Sequence, residues 1–196
     1  MTIAVINSGG ANLGSVVHAL HRLGAECLLT RDADEIRAAA RVILPGVGSA
    51  GAAMSALHEA GLVEVIRSLT QPVLGICLGL QLLYESSAEG EVACLGLIPG
   101  RVQKLQVDQS LRLPHMGWNR LEWTAPEDPL ARGLGDQDWY YFVHSYAAPV
   151  EHAVASSRHG QPFAAVVRRN NFAACQFHPE KSATAGARLL ANFLET

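Results

Sequence analysis

Gly75-Ile76-Cys77-Leu78-Gly79 places a thiol between two glycines, directly after the apolar run that begins at Val73. This is the pattern of a nucleophile on a sharp strand-to-helix turn, where flanking side chains would collide with neighbouring elements and the middle residue projects beyond the sheet edge. At a helix N-terminus, unpaired N–H groups favour negative charge. The backbone N–H of Leu78 would face the place where an oxyanion forms. The chemistry this implies is attack of sulfur on a carbonyl carbon. The competing reading is a buried structural cysteine between packing glycines. Cys27, Cys94 and Cys175 lie in strand-like or loop-like runs without this setting and are read as structural thiols.

A thiol nucleophile needs a proton carrier and a group that orients it. Of the eight histidines, His178 is the one set apart. It ends the apolar run Phe172 to Phe177 and is followed by Pro179-Glu180. Proline stops the strand, and a carboxylate two residues on can turn back to hold one imidazole nitrogen, leaving the other for the thiol. The alternative is a His and a Glu in a surface turn. His18 and His21 share an i, i+3 spacing on a helix and are read as a solvated face, and His58, His152 and His159 have no visible partner. Pro45-Gly46-Val47-Gly48 follows another strand, and its glycines allow a backbone N–H to approach a ligand closely, as a second oxyanion donor or as an ordinary turn.

The elements that must position these residues alternate. Ile3 to Ile6, Cys27 to Thr30, Val42 to Leu44 and Val73 to Ile76 read as short apolar strands. Between them lie helices: one capped by Asn12, with Leu13, Val16, Val17, Leu20 and Leu23 on one face and Gly24 as its stop; one over Asp32 to Ala40; one capped by Ser49; and one over Leu62 to Leu69. Gln81 to Glu85 opens a further helix. This predicts an α/β fold with a mostly parallel central sheet flanked by helices. In the second half, Val102 to Leu105, Trp118 to Trp123, Trp139 to Tyr146, Ala153 to Ser157, Phe163 to Arg168 and Phe172 to Phe177 read as strands, several of them antiparallel, before a last helix capped by Ser182.

Length and composition bound the rest. The 196 residues, 49% hydrophobic and 17% charged, suit one well-buried domain over residues 1–196 and exclude general disorder. A net charge of −3 argues against a nucleic-acid footprint. No apolar run approaches the roughly 18 residues that span a bilayer. Four cysteines without Cys-x-x-Cys spacing make neither a disulfide framework nor a zinc site, so reduced thiols, a cytoplasmic location and no metal or cofactor are expected.

Gly75-Ile76-Cys77-Leu78-Gly79-Leu80-Gln81-Leu82-Leu83 together with Gln176-Phe177-His178-Pro179-Glu180 resembles the class I (triad) glutamine amidotransferases, and Pro45 to Gly48 is similar to their oxyanion strand. Within that class, Pro114-His115-Met116-Gly117-Trp118-Asn119, Tyr141-Phe142-Val143-His144-Ser145-Tyr146 and Lys181-Ser182 are similar to the branch that supplies imidazole glycerol phosphate synthase with ammonia in histidine biosynthesis. The resemblance implies a flavodoxin-like amidotransferase fold and hydrolysis of L-glutamine to glutamate and ammonia. It implies a (β/α)₈-barrel cyclase subunit as partner, in a heterodimer, receiving the ammonia through a tunnel.

On this sequence it implies Cys77 as nucleophile, His178 as general base and acid, Glu180 as orienter, and Leu78 with Gly48 as oxyanion donors. Gly46, Gln81, Ser145 and Tyr146 would hold the substrate, with Glu89 a further candidate for its α-amino group. Asn12, Trp118, Tyr141 and Lys181 would lie at the cyclase face. The oxyanion strand would be misoriented in the isolated subunit and righted by the partner. The first loop departs from the Asp-Tyr-Gly-x-Gly-Asn often found there, reading Asn7-Ser8-Gly9-Gly10-Ala11-Asn12. Other readings of the same residues are a glutaminase serving another synthase, a cysteine variant of the α/β-hydrolases, in which the acid precedes the histidine, and a non-catalytic flavodoxin-like module.

Overall fold

The computed structural model describes residues 2–8 and 13–196; the expected cap and interface residue Asn12 lies outside the described residues. Four strands of the first half are parallel: β1 (Ile3–Ile6), β2 (Cys27–Thr30), β3 (Arg41–Gly46) and β4 (Val73–Cys77). Their connections are helices: α1 (Leu13–Arg22), α2 (Ala33–Ala38), α3 (Ala50–Glu59) and α4 (Leu62–Arg67). Asp32 caps α2 through the Asp34 and Glu35 amides, and Ser49 caps α3 through that of Ala52.

Strand alternation sorts side chains into two layers. Ala4, Ile6, Val42, Leu44 and Val73 pack with α2, α3 and α4. Ile3, Val5, Ile43, Leu74 and Ile76 point the other way, to the layer of α1 and the C-terminal helix α6 (Ala183–Glu195).

After β4 the chain departs from the expected helix over Gln81 to Glu85. Helix α5 spans only Leu78–Leu82, and Tyr84–Ser87 is strand β5. A continuing helix would need the carbonyls of Leu82, Leu83 and Tyr84 as acceptors. Here the amides of Leu95, Ile98 and Gly96 take them instead. Strand β5 joins β6 (Val92–Ala93), β7 (Ile98–Lys104) and β11 (Tyr146–Ala147) in a separate small sheet.

The run from Trp118 to Trp123 is not one strand. β8 (His115–Asn119) pairs antiparallel with β10 (Tyr140–His144), whereas β9 (Glu122–Trp123) pairs with β12 (Ala153–His159). β12, β13 (Gln161–Arg169) and β14 (Phe172–Cys175) complete the large sheet in the order β2-β1-β3-β4-β14-β13-β12-β9. Five neighbouring strands, β2 to β14 in that order, run parallel and three extend it antiparallel. β4 and β14 are therefore adjacent and parallel, which brings position 77 and the residues just after Cys175 to the same sheet edge.

The turn after β4 is set by close approach. A Cβ on Gly79 would lie 1.9 Å from the Leu44 carbonyl oxygen, and one on Gly75 would lie 2.8 Å from that of Gly79. Gly51, on α3, has open space around it. Gly79→Ala is expected to lower stability by about 3 kcal/mol or more, in the range of severe core overpacking. Gly51→Ala is expected to raise it by up to about 1 kcal/mol through helix propensity. Urea unfolding midpoints of the two variants check both signs.

Candidate active site

Cys77 has φ +53° and ψ −106° and sits at the N-cap position of α5. A non-glycine residue at positive φ is strained, and it persists where surrounding packing over-determines it. The packing here is the close approach of Gly79 to β3 and of Gly75 to Gly79 and Ala174 of β14. The sulfur is turned into a cavity of about 350 Å³, within the range of roughly 300–1,000 Å³ usual for small-molecule sites. Cys77, Leu78 and Gln81 enter it from the elbow and α5, and Val47 and Gly48 from the loop after β3. Val143 and His144 come from the end of β10, Ser145 and Tyr146 from the residues next to it in the chain, and His178 from the end of β14. Glu89 and Pro114 close the sides.

His178 lies just beyond β14, 3% exposed. Its Nδ1 is 2.8 Å from Glu180 Oε1, and the glutamate side chain is itself 1% exposed. The turn Pro179–Lys181 folds the carboxylate back onto the ring that precedes it. Nε2 has no partner of ordinary hydrogen-bond geometry, and the Cys77 sulfur is near enough to act on the ring. Burial pushes this imidazole down, but hydrogen bonding and charge from Cys77 and Glu180 outweigh it, and the net direction is up. The arrangement can take a proton from a thiol, hold it as an imidazolium beside a carboxylate, and return it to a leaving group.

Strand β10 fixes the ring from behind. The His178 amide donates to the Tyr141 carbonyl at 2.9 Å. Ser182, fully buried, donates from Oγ to the His178 carbonyl at 2.7 Å and accepts the Tyr141 amide at 2.9 Å. Ser182 thus occupies the N-cap position of α6 without acting as a cap: its hydroxyl makes no capping bond, because it is committed to these two backbone groups.

Gly48, with φ +98°, lines the cavity. Gly46 does not; a Cβ there would touch Leu78 Cβ at 3.0 Å, and the residue borders a very small void behind His178 and Glu180. Gln81 donates from Nε2 to the Tyr146 carbonyl at 2.9 Å. The Glu89 carboxylate accepts the Ala50 amide at 2.8 Å.

Trp118 and Tyr141 meet edge to face at 5.8 Å, and Lys181 Nζ lies 6.0 Å over the Tyr141 ring. Met116 and Trp118 on the same ribbon are 63% and 50% exposed. All four cysteines are free. Burial raises Cys94 to about 11 and pushes Cys175 well above its usual value, so neither is a ready nucleophile. Among the described residues, no group of three or more His, Cys, Asp or Glu could hold a metal. A larger hollow of about 610 Å³, between β7 and the segment 147–152, contains no cysteine, serine or threonine.

Two residues of this neighbourhood stand in the quoted motifs but received no role from the sequence. Gln176 is fully buried, accepts from Gln81 at 3.1 Å and points Nε2 at the Cys77 sulfur at 3.7 Å. Its signal is an amide inside an apolar strand, which must find partners when buried. His144 is the other, and only the pairing of β8 with β10 shows what it faces.

The Glu180 carboxylate favours the protonated ring, so neutralising it moves the titration downward. In Glu180→Gln, the His178 imidazole is expected to titrate at lower pH than in the native chain, read from its ring proton resonances; an unchanged or higher midpoint would contradict the pairing.

The chain matches known proteins over nearly all its length. Residues 4–196 match the family described as Glutamine amidotransferase class-I. The chain is 52% identical over 193 residues to Imidazole glycerol phosphate synthase subunit HisH 2 of Legionella pneumophila (strain Lens), covering 98% of this chain and 96% of that one. It is 54% identical over 194 residues to Imidazole glycerol phosphate synthase subunit HisH of Xylella fastidiosa (strain Temecula1), with the same coverage. The crystal structure of a glutamine amidotransferase shares the fold, with a TM-score of 0.74 at 23% identity, covering 98% of this chain and 97% of that one. A thiol elbow and an imidazole in one pocket, with a carboxylate holding the far side of the ring, carried by a sheet of this order and matched at this identity, place the chain in the class-I glutamine amidotransferase family.

Proposed function

We propose that this chain is the glutaminase subunit of an imidazole glycerol phosphate synthase, hydrolysing L-glutamine to glutamate and ammonia and passing the ammonia to a cyclase subunit. The observation that carries the chemistry is the pocket shared by Cys77 and His178, with the buried Glu180 carboxylate on the other nitrogen of the ring. The identity of 52–54% with subunits of that synthase supports the pathway.

In the reaction, Cys77 gives its proton to His178 Nε2 and its sulfur attacks the side-chain amide carbon of glutamine. The oxyanion forms beside the Leu78 N–H, which belongs to the first turn of α5 and has no acceptor inside the helix. Backbone around Gly48 is the second donor. His178 protonates the departing nitrogen, which leaves as ammonia, and a glutamyl thioester remains. Water then gives a proton to His178 and attacks the thioester; glutamate departs and the thiol is restored. Gln81 with the backbone of Ser145 and Tyr146 holds the amino-acid end, and the Glu89 carboxylate faces its α-amino group. Gly46 contributes by its close contact with Leu78, not as a lining residue.

The ribbon of exposed Met116 and Trp118 and half-buried Tyr141, with Lys181 beside it, is the face we assign to the cyclase, a (β/α)₈ barrel in a heterodimer. Ser8 Oγ donates to the Pro45 carbonyl at 2.9 Å, which ties the first loop to the start of the oxyanion strand. A loop at the partner face can in this way bias the glycine-flanked peptides beyond Pro45. No helix among the described residues is long and apolar enough to cross a membrane. Four unpaired thiols suit the reducing cytoplasm, where we place the reaction.

Mixing the chain with its cyclase and following glutamate release tests this reading. Cys77→Ser is expected to lower glutamine-dependent synthesis by on the order of 10³-fold or more, as loss of a nucleophile does. Synthesis from added ammonium salt is expected to persist. Retained glutamine-dependent synthesis would remove Cys77 from its role. The isolated chain is expected to release glutamate far more slowly than the assembled complex with the cyclase ligand bound; equal rates would refute partner control of the oxyanion strand.

A further inference from the structure

Strands β8 and β10 carry two buried histidines that the reaction above does not use. His115 and His144 are 4% and 6% exposed and sit opposite each other in the ribbon. His115 Nδ1 is 3.0 Å from His144 Nε2. Hydrogen-bond accounting sets every proton in this contact. The Tyr146 carbonyl, 2.9 Å from His144 Nδ1, can only accept, so that nitrogen carries the proton. The neutral ring then leaves Nε2 bare, to accept from His115 Nδ1–H. His115 Nε2 is bare in turn and accepts from Asn119 Nδ2 at 3.3 Å. The Asn119 amide is itself oriented: Nδ2 donates to the Arg158 carbonyl at 2.9 Å and Oδ1 accepts the Arg120 amide at 2.8 Å.

The result is a one-way relay from Asn119 through His115 and His144 to the Tyr146 carbonyl. From the other side, Gln81 Nε2 donates to the same carbonyl, and the path continues through Gln176 to the Cys77 sulfur. The His115 ring cannot swing out of line, because it stacks between Phe142 at 4.9 Å and His159 at 4.2 Å. A further proton on either ring would set two N–H groups against each other. In keeping with this, burial pushes both imidazoles down. His144 reaches about 3, where the Tyr146 carbonyl opposes the fall and His115, His159 and His178 add to it. His115 reaches about 4, with His159 adding.

We propose that His115 and His144 are positioning residues for the substrate pocket: through this relay they hold the Tyr146 backbone where it and Gln81 meet the amino-acid end of glutamine. The proposal rests on the glutaminase reading of the pocket. It also gives β8 a double role. Its inward residues His115 and Asn119 form the relay, while its outward residues Met116 and Trp118 form the exposed ribbon, so the two faces move as one strand.

The test is steady-state glutaminase kinetics of the complex assembled with the cyclase. His115→Phe keeps a ring between Phe142 and His159 but can neither donate nor accept, leaving His144 Nε2 buried without its donor. KM for glutamine is expected to rise about tenfold, with kcat changed by less than about threefold. His115→Asn, whose amide can still donate towards His144, is expected to recover most of that loss. Asn119→Ala, at the half-exposed start of the relay, is expected to raise KM by about threefold and serves should His115→Phe fold poorly. A native complex that releases no glutamate overturns the glutaminase reading itself. In an active native complex, unchanged KM in both His115→Phe and Asn119→Ala, a fall in kcat alone, or no recovery in His115→Asn overturns the relay.

Discussion

Everything in the pocket depends on how closely the turn after β4 is pressed against β3. The Leu44 carbonyl occupies the space where a side chain at position 79 would begin, and the Gly79 carbonyl does the same to position 75. This approach forces the chain through a left-handed conformation at Cys77 and turns it into α5 without an intervening loop. Strain at one residue is stabilised by the packing of two strands and a helix around it. The sulfur is therefore presented by a tightly packed turn, and α5 begins directly after it, its first amides free of helical acceptors.

The second constraint is strand β10. It does not belong to the large sheet, yet it touches each functional part. Its Tyr141 backbone holds His178 directly and through Ser182; the Val143 carbonyl lies 4.0 Å from the Cys77 sulfur; and its end leads into Ser145 and Tyr146. Its partner β8 faces outward with Met116 and Trp118. A two-stranded ribbon with one face in the pocket and the other exposed is a short mechanical path between the molecular surface and the cavity. Coupling along it requires no long-range rearrangement, only a shift of strands already hydrogen-bonded to both sites.

Buried polar groups give the pocket its definition. Gln81, Gln176, His115, His144, His178 and Ser182 are all buried, and most of their hydrogen-bonding capacity is spent on one another or on backbone. Satisfied networks of this kind rigidify a site, whereas a single missing partner leaves a costly unpaired group. His178 Nε2 is the one imidazole nitrogen of this group left without a conventional partner, on a ring that the Cys77 thiol influences.

The sequence by itself determined the local elements with strong signals. Apolar runs bounded by Gly-rich turns marked β1, β3 and β4; helical periodicity marked α1; Asp32 and Ser49 stand at the starts of α2 and α3 as their side chains require; and the spacing around Cys77 and His178 named the chemistry. The turn that brings Glu180 onto His178 was also legible, because it is two residues long. What only the tertiary structure decided is everything set by non-local pairing. Tyr84–Ser87 became a strand because segment 95–98 took its helical acceptors. The run through Trp118 split because its two ends pair with different strands. Ser182 became a clamp, His144 came to line the pocket and Gln176 came to back the Cys77 sulfur, because β10 lies beside the end of β14. Local spacing encodes turns and faces, but hydrogen-bond partners distant in sequence are chosen only when the sheets assemble, and that assembly brings sulfur, imidazole and the Ser145–Tyr146 backbone into one cavity.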